Sequence, residues 1–87
     1  MISIIVPVYQ EHPEEVRHLV RELLSKNGES VEIIVVDGDP EKGSLGMLQG
    51  LTVKRVAALP GRGGQMNAGA QVATGDVLLF LHADSVL

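Results

Sequence analysis

Polar side chains that could bind a ligand follow two apolar segments of this sequence. Asp37 ends the mostly aliphatic run 31–36, where an aspartate either caps a turn or accepts hydrogen bonds from a ribose or a base. His82 and Asp84, two residues apart, follow the apolar run 77–81. A carboxylate in that place is a suitable oxygen ligand for Mg²⁺ or Mn²⁺ shared with phosphates, so Asp84 is the candidate metal ligand.

A glycine-rich segment, 61–64, offers a different chemistry, the binding of phosphate. It is not a Walker A loop, because no Gly-Lys-Ser/Thr follows. It also lacks the dinucleotide fingerprint, because Met66 occupies the place of the last glycine. Two interpretations are open at this point. The segment is a flexible start to a helix, or it is a helix N-terminus open to a diphosphate with Arg62 beside it.

The sequence contains no recognisable nucleophilic dyad or triad. Its serines lack the strand–turn–helix setting of an activated nucleophile, and the absence of cysteine excludes thiolate, zinc–thiolate and disulfide chemistry. Net charge is −4 and the basic residues are scattered, so binding to nucleic acid or to an anionic membrane is not expected. The residues alone indicate a ligand-binding α/β half-domain with a candidate metal site.

Four apolar runs predict the strands of one parallel sheet. They span 2–8, 31–36, 51–57 and 77–81, and helical patterns separate them, which favours a three-layer α/β fold. The charged third strand suits an edge, so the expected strand order is 3-2-1-4. Strands 1 and 4 are then neighbours where the winding reverses, and ligands bind beyond the carboxyl ends of the strands at that point.

Two amphipathic patterns and one weaker segment predict the helices. Apolar residues repeat at helical spacing over 16–24, in a helix that should begin at Pro13 and end near Asn27. A second helix is expected over about 65–74, after the glycines. A short helix over 43–50 would be weak, because three glycines interrupt it. The apolar stripe of the second helix is expected at Met66, Ala70 and Ala73.

Length and composition describe one small domain over residues 1–87. Hydrophobic side chains make up 45% of the 87 residues, which is typical of a globular core rather than of a disordered chain. The longest apolar run, 77–81, is far too short to cross a membrane, and no signal peptide precedes the first strand. A cytoplasmic location is therefore expected.

Four segments carry short motifs: IIVPVYQE at 4–11, IIVVDG at 33–38, GRGGQMNAGA at 61–70 and GDVLLFLHAD at 75–84. Together, and in this order, they resemble the nucleotide-sugar-binding half of family 2 glycosyltransferases, which have the GT-A fold. The matching family motifs are a strand written V-P-x-Y-N-E, a strand with a base-binding aspartate, a helix with N-x-G, and a D-x-D metal motif. The last two segments are also similar to a bacterial subgroup of transferases linked to arsenosugar biosynthesis.

The resemblance implies a Rossmann-like half of a GT-A fold that binds a nucleotide-sugar donor, commonly a UDP-sugar. By motif position, Asp37 would hydrogen-bond the base. Asp84 would bind a divalent cation, Mg²⁺ or Mn²⁺, that stabilises the leaving nucleoside diphosphate. His82 replaces the first aspartate of D-x-D, at a position that contacts sugar or ribose. The remaining implied positions are Pro7, Tyr9 and Glu11 in the nucleotide pocket, and Arg62 and Asn67 near the ribose and diphosphate.

The family's acceptor-binding segments and catalytic base follow the metal motif, where this sequence ends. The resemblance therefore implies a donor-binding fragment of a longer glycosyltransferase, in which no catalytic residue can be named and which alone transfers no sugar. The alternative is a non-catalytic nucleotide-binding or assembly module of the same fold class, since fold does not determine function. An uncovered, uncharged fourth strand over 77–81 would also favour self-association through that edge.

Overall fold

The predicted alternation of strands and helices is present in the structure, a computed structural model that describes residues 1–9, 13–27, 31–38, 50–59 and 61–81. Neither helix in these ranges is long and apolar enough to span a membrane. The elements are β1 (Ile2–Val8), α1 (Pro13–Asn27), β2 (Val31–Asp37), β3 (Lys54–Ala57), α2 (Arg62–Val72) and β4 (Val77–Phe80).

The four strands form one parallel sheet in the order β3-β2-β1-β4, which confirms the predicted order. β1 and β2 are its central strands, and both are buried along most of their length. Their register pairs Ile2 with Val31 and Val8 with Asp37. The last residues of β1 and β2 therefore meet at one edge of the sheet, which we call the carboxyl edge. The first residues of the strands form the opposite, amino edge.

α1 packs on one face of the sheet through the aliphatic stripe that its spacing predicts. Alternate residues of β1 and β2 point to that face, because successive side chains of a strand point to opposite sides. Each fully buried aliphatic side chain contributes about 1.5–3 kcal/mol, so this face carries the larger share of the hydrophobic stabilisation. Its buried core consists of Ile4, Val6, Val8, Val16, Leu19, Val20, Leu23, Ile33 and Val35.

α2 packs on the opposite face through small residues, so its backbone approaches the sheet closely. Gly69 lies at the closest point, since a Cβ atom built on it would meet Ile5 Cγ2 at 2.5 Å and Val36 Cγ2 at 3.1 Å. The predicted stripe is confirmed for its two alanines, whereas Met66 is only partly buried and lies outside this core. The core on this face consists of Ile5, Ile34 and Val36 with the partly buried Val56, Ala58, Ala68, Ala70 and Ala73.

β3 is shorter than the sequence predicts. It begins at Lys54 rather than at residue 51, because the Val53 N–H donates a hydrogen bond to the Leu51 carbonyl at 2.9 Å. Such a tight turn withdraws the backbone from strand pairing. The weak helix predicted over 43–50 lies outside the described residues, apart from Gly50.

α2 begins earlier than the sequence predicts, at Arg62 rather than near Gln65. Gly61 is its N-cap, with a φ of 136°, a backbone conformation that residues with a side chain rarely adopt. The glycines after Arg62 are therefore part of the helix and not of a loop before it. This places the first turn of α2 directly at the carboxyl edge.

A polar cluster at the amino edge joins the start of the sheet to the end of α2. Glu32 of β2 accepts hydrogen bonds from Ser3 Oγ at 2.8 Å, from the Thr74 N–H at 2.8 Å and from Thr74 Oγ1 at 2.9 Å. Lys54 Nζ lies 2.7 Å from Glu32 Oε2 and also donates to the Val72 carbonyl at 3.0 Å. The Lys54 ammonium, followed by the Thr74 N–H, lowers the pKa of Glu32 from 4.5 to about 2.

Replacing Glu32 with Gln should destabilise the fold at neutral pH and have progressively less effect in acid. Because the pKa is lowered on folding, stabilisation by the carboxylate is complete above pH 4.5 and is lost as the pH falls toward 2. At about 1.4 kcal/mol per pKa unit, the lowered pKa of Glu32 corresponds to a stabilisation of the folded state by roughly 3 kcal/mol before screening by solvent. Solvent around the half-exposed Lys54 reduces the expected loss to about 1–2 kcal/mol. Urea unfolding at a series of pH values measures it.

Glu22→Gln is the matched control for Glu32→Gln. Glu22 forms exposed pairs with His18 and Lys26 along α1. Its replacement should change the free energy of unfolding by less than about 0.5 kcal/mol. Equal losses in the two variants at neutral pH would contradict the role of the amino-edge cluster.

Gly69→Ala should destabilise the fold by about 1–3 kcal/mol, because the new Cβ would collide with the stiff, β-branched side chains of Ile5 and Val36. Gly64→Ala is the matched control in the same helix, since a Cβ there meets nothing within 4 Å. Replacing this helical glycine should stabilise the fold by about 0.5–1 kcal/mol. Urea unfolding of both variants should therefore give changes of opposite sign. A loss of stability in both would show that close approach of Gly69 to the sheet is not the cause.

Candidate functional site

The carboxyl edge brings together the residues that end and follow β1 and β2. Val8 pairs with Asp37, and the Val8 carbonyl accepts a hydrogen bond from the Gly38 N–H at 2.9 Å. On the other side of β2, the Ala58 N–H donates to the Asp37 carbonyl at 2.9 Å. Tyr9 follows β1 directly and is 46% exposed. The backbone therefore holds Tyr9 and Asp37 at the same edge of the sheet.

Asp37 is a buried acidic residue at this edge. It is fully buried, and the alternation of β2 puts its side chain on the α1 face, in line with Ile33 and Val35. Its Oδ2 atom accepts no hydrogen bond from the described residues, although Asp37 has other interactions. A buried carboxylate oxygen whose hydrogen-bonding capacity the described residues leave unused can mark a functional site. Asp37 is therefore a candidate functional group, with hydrogen-bond acceptance as its chemistry.

Pro7 lies in a part of β1 that pairs with β2 but is beyond the described pairing with β4. It is buried, and its Cα pairs with Val36 of β2. The described pairing of β1 with β4 ends at Ile5 and Phe80, followed by one hydrogen bond from the Leu81 N–H to the Ile5 carbonyl at 2.9 Å. Proline has no N–H to donate, so it suits a position beyond the last described ladder bond on the β4 side.

The start of α2 is attached to both central strands by one buried side chain, Gln65, which is 3% exposed. Its Nε2 donates to the Val8 carbonyl at 2.7 Å and to the Val36 carbonyl at 3.0 Å. Its Oε1 accepts a hydrogen bond from the Gly61 N–H at 3.2 Å, and its own N–H donates to the Gly61 carbonyl at 2.9 Å. The first turn of α2 is thereby held against the carboxyl edge.

Gln65 was not among the residues predicted for the site. The spacing of Gly61 and Gln65 differs from that of a capping box, in which the Glu or Gln lies three residues after the N-cap rather than four, so this bond could not be predicted from that pattern. The bonds to Val8 and Val36 have no signature in the sequence, since they depend on how α2 packs on the sheet.

The other predicted site residues are spread over the chain. Arg62 is the first residue of α2. Asn67 lies two residues after Gln65 and is exposed, on the solvent side of that helix. The structure thus places Pro7, Tyr9 and Asp37 at the same edge of the sheet as the start of α2, with Pro7 and Asp37 on opposite faces by the alternation of the strands. The Asn67 side chain is on the solvent side of α2 and not at this edge. Glu11, His82 and Asp84 lie outside the described residues.

The described residues hold no group of three or more His, Cys, Asp or Glu side chains that could bind a metal ion. Two shallow grooves lie away from the carboxyl edge. One, of about 400 Å³, is lined by exposed residues of α1, and one, of about 340 Å³, lies at the amino edge. The second includes Glu32 and Lys54, whose charges pair with each other at 2.7 Å. The carboxyl edge therefore stays the candidate site, and its metal ligand stays a prediction.

The sequence matches a family model over almost its whole length. The model is that of glycosyl transferase family 2, and the match covers residues 3–87. It includes β1 from Ser3 onward, the whole of β2 and every predicted site residue. No curated protein matches the sequence.

Proposed function

We propose that this chain, which belongs to glycosyl transferase family 2, is a nucleotide-sugar-binding module whose donor nucleotide lies across the carboxyl edge. The observation that carries this proposal is the pairing of Val8 with Asp37, with Tyr9 and the start of α2 beside it. Ligands of open parallel sheets bind at carboxyl ends of this kind.

Each part of a nucleoside diphosphate has a suitable partner at this edge. Asp37 would accept hydrogen bonds from the base, which we propose is uracil. The first helical hydrogen bond of α2 is donated by Gln65, so the N–H groups of 62–64 have no partner within the helix and favour an anion such as the diphosphate. The remaining proposed contacts are Pro7, Tyr9 and Glu11 in the nucleotide pocket, and Arg62 and Asn67 near the ribose and diphosphate.

A divalent cation, Mg²⁺ or Mn²⁺, completes the proposed site. Asp84 would hold it, and His82 would contact the sugar or the ribose. The support for both assignments is the order of the family motifs, since these residues lie outside the described part of the chain. When bound, the cation would stabilise the charge of the leaving nucleoside diphosphate. The narrower arsenosugar-linked subgroup and the cytoplasmic location stay predictions.

A nucleoside diphosphate, tested as UDP, should bind the chain more tightly with Mn²⁺ than without it. Asp84→Ala should abolish this enhancement, because the carboxylate that holds the cation is removed. Asp37→Asn should weaken binding about tenfold in both conditions, because the base loses a charged acceptor. Isothermal titration calorimetry of the unsubstituted chain and the two variants measures these effects.

Asp76→Asn is the matched control for the UDP titration. Asp76 is a 93%-exposed carboxylate at the amino edge, 3.5 Å from the N-terminal ammonium. Its replacement should leave UDP affinity unchanged with and without Mn²⁺. If the unsubstituted chain binds UDP equally in both conditions, the proposed cation is wrong. If Asp37→Asn binds UDP as tightly as the unsubstituted chain, the proposed place of the base is wrong.

A second copy of the chain is the other partner that we propose, and β4 is the surface that would bind it. β4 lies at the end of the sheet, carries no charge, and all four of its residues are between 40% and 56% exposed. The opposite edge strand, β3, presents Lys54 and Arg55, which discourage strand pairing. Identical uncharged edges can pair about a twofold axis, so dimerisation should use β4 and not β3.

Light scattering over a wide range of protein concentration should show a monomer that associates as the concentration rises. Val77→Lys should shift the equilibrium toward the monomer, because it adds a charge at the most exposed position of β4. Leu59→Lys is the matched control, since it adds the same charge at a leucine that is 85% exposed and lies outside β4. A folded monomer of the unsubstituted chain at every concentration, or equal effects of the two substitutions, would rule out association through β4.

A further inference from the structure

We infer that Gln65 is a positioning residue of the donor site, whose side-chain amide fixes the start of α2 against the two backbone carbonyls that directly precede Tyr9 and Asp37. Those carbonyls belong to Val8 of β1 and Val36 of β2. The inference rests on the proposed function, because its consequence for binding requires the donor to lie at the carboxyl edge.

The Gln65 side-chain amide forms hydrogen bonds with β1, with β2 and with Gly61, the residue before α2. A primary amide has two N–H donors, which here serve β1 at 2.7 Å and β2 at 3.0 Å. Its oxygen accepts from the Gly61 N–H at 3.2 Å, so the same group also orients the residue that precedes α2. Because Gln65 is only 3% exposed, water has little access to replace these bonds. Loss of the amide would therefore remove the hydrogen bonds that join the start of α2 to the two strands, and buried water could not easily replace them.

The two strands do not need Gln65 in order to pair. They are joined along the whole register from Ile2 to Val8, and the Gly38 N–H already bonds the Val8 carbonyl at 2.9 Å. What Gln65 adds is a connection between these strands and the first turn of α2. In the proposed site, Asp37 binds the base and that turn faces the diphosphate. Gln65 therefore fixes the distance between the base and diphosphate positions, and the bound nucleotide has to span that distance.

Gln65→Met tests this role, since methionine has a similar length and flexibility and packs without donating hydrogen bonds. UDP binding in the presence of Mn²⁺ should weaken about tenfold or more, because the two halves of the site are no longer held at one distance. Glu32→Gln is the matched control, because it weakens a partly buried polar cluster at the opposite, amino edge. It should leave the Kd for UDP within about twofold of the unsubstituted chain, as measured by calorimetry.

The inference is overturned if Gln65→Met binds UDP as tightly as the unsubstituted chain. It is also overturned if both variants lose affinity in proportion to their loss of stability, since Gln65 would then act through stability alone. If the unsubstituted chain binds no UDP, the proposed function fails, and amide hydrogen exchange decides the role of Gln65. Faster exchange at Gly38 and Gly61 in Gln65→Met, but not in Glu32→Gln, supports the connection, and unchanged exchange overturns it.

A measurement on the unsubstituted chain covers the case in which Gln65→Met does not fold. The side-chain NH₂ protons of Gln65 should exchange slowly with solvent, because both are engaged with strand carbonyls in a buried position. Exchange at the rate of an exposed glutamine amide would overturn the inference.

Discussion

The parallel pairing of β1 with β2 in a single register is the constraint on which the rest of the molecule depends. A slip by one residue would move every side chain of one strand to the other face of the sheet. The observed register, from Ile2 and Val31 to Val8 and Asp37, gives α1 and α2 each a continuous apolar face. The same register sets Asp37 opposite the end of β1. The core and the candidate site are thus two consequences of one backbone arrangement.

The two edges of the sheet hold their acidic residues in opposite ways. At the amino edge, Glu32 is surrounded by the donors of Ser3, Lys54 and Thr74, which lower its pKa and make its charge stabilising. At the carboxyl edge, Asp37 is enclosed in line with aliphatic side chains of β2. The Oδ2 atom of Asp37 has hydrogen-bonding capacity that the described residues do not use, whereas both oxygens of the Glu32 carboxylate accept from donors. This contrast favours the carboxyl edge as the site.

The strands and their order could be predicted because central parallel strands, buried on both faces, are continuous apolar runs. Tyr9 and Asp37 followed from the same pattern, since they come directly after those runs. The start of α2 was predicted wrongly, because glycines carry no hydrophobic period of their own. Gln65 could not be predicted, since its amide bonds residues 57 and 29 positions away in the sequence. Such contacts exist only once the helix has packed on the sheet.

Gly69 and Gln65 lie one turn apart on the same face of α2, so the packing of this helix and the geometry of the site are linked. The absence of a side chain at Gly69 lets the helix approach Ile5 and Val36 until a Cβ atom would lie 2.5 Å from the first of them. A glutamine side chain has a limited length. Its amide can therefore bond both strands only while α2 stays at this short distance from the sheet. A larger residue at 69 would add hydrophobic area but would also lift the first turn away from both carbonyls. The small residues of α2 therefore serve the site by bringing the Gln65 amide within reach of the Val8 and Val36 carbonyls.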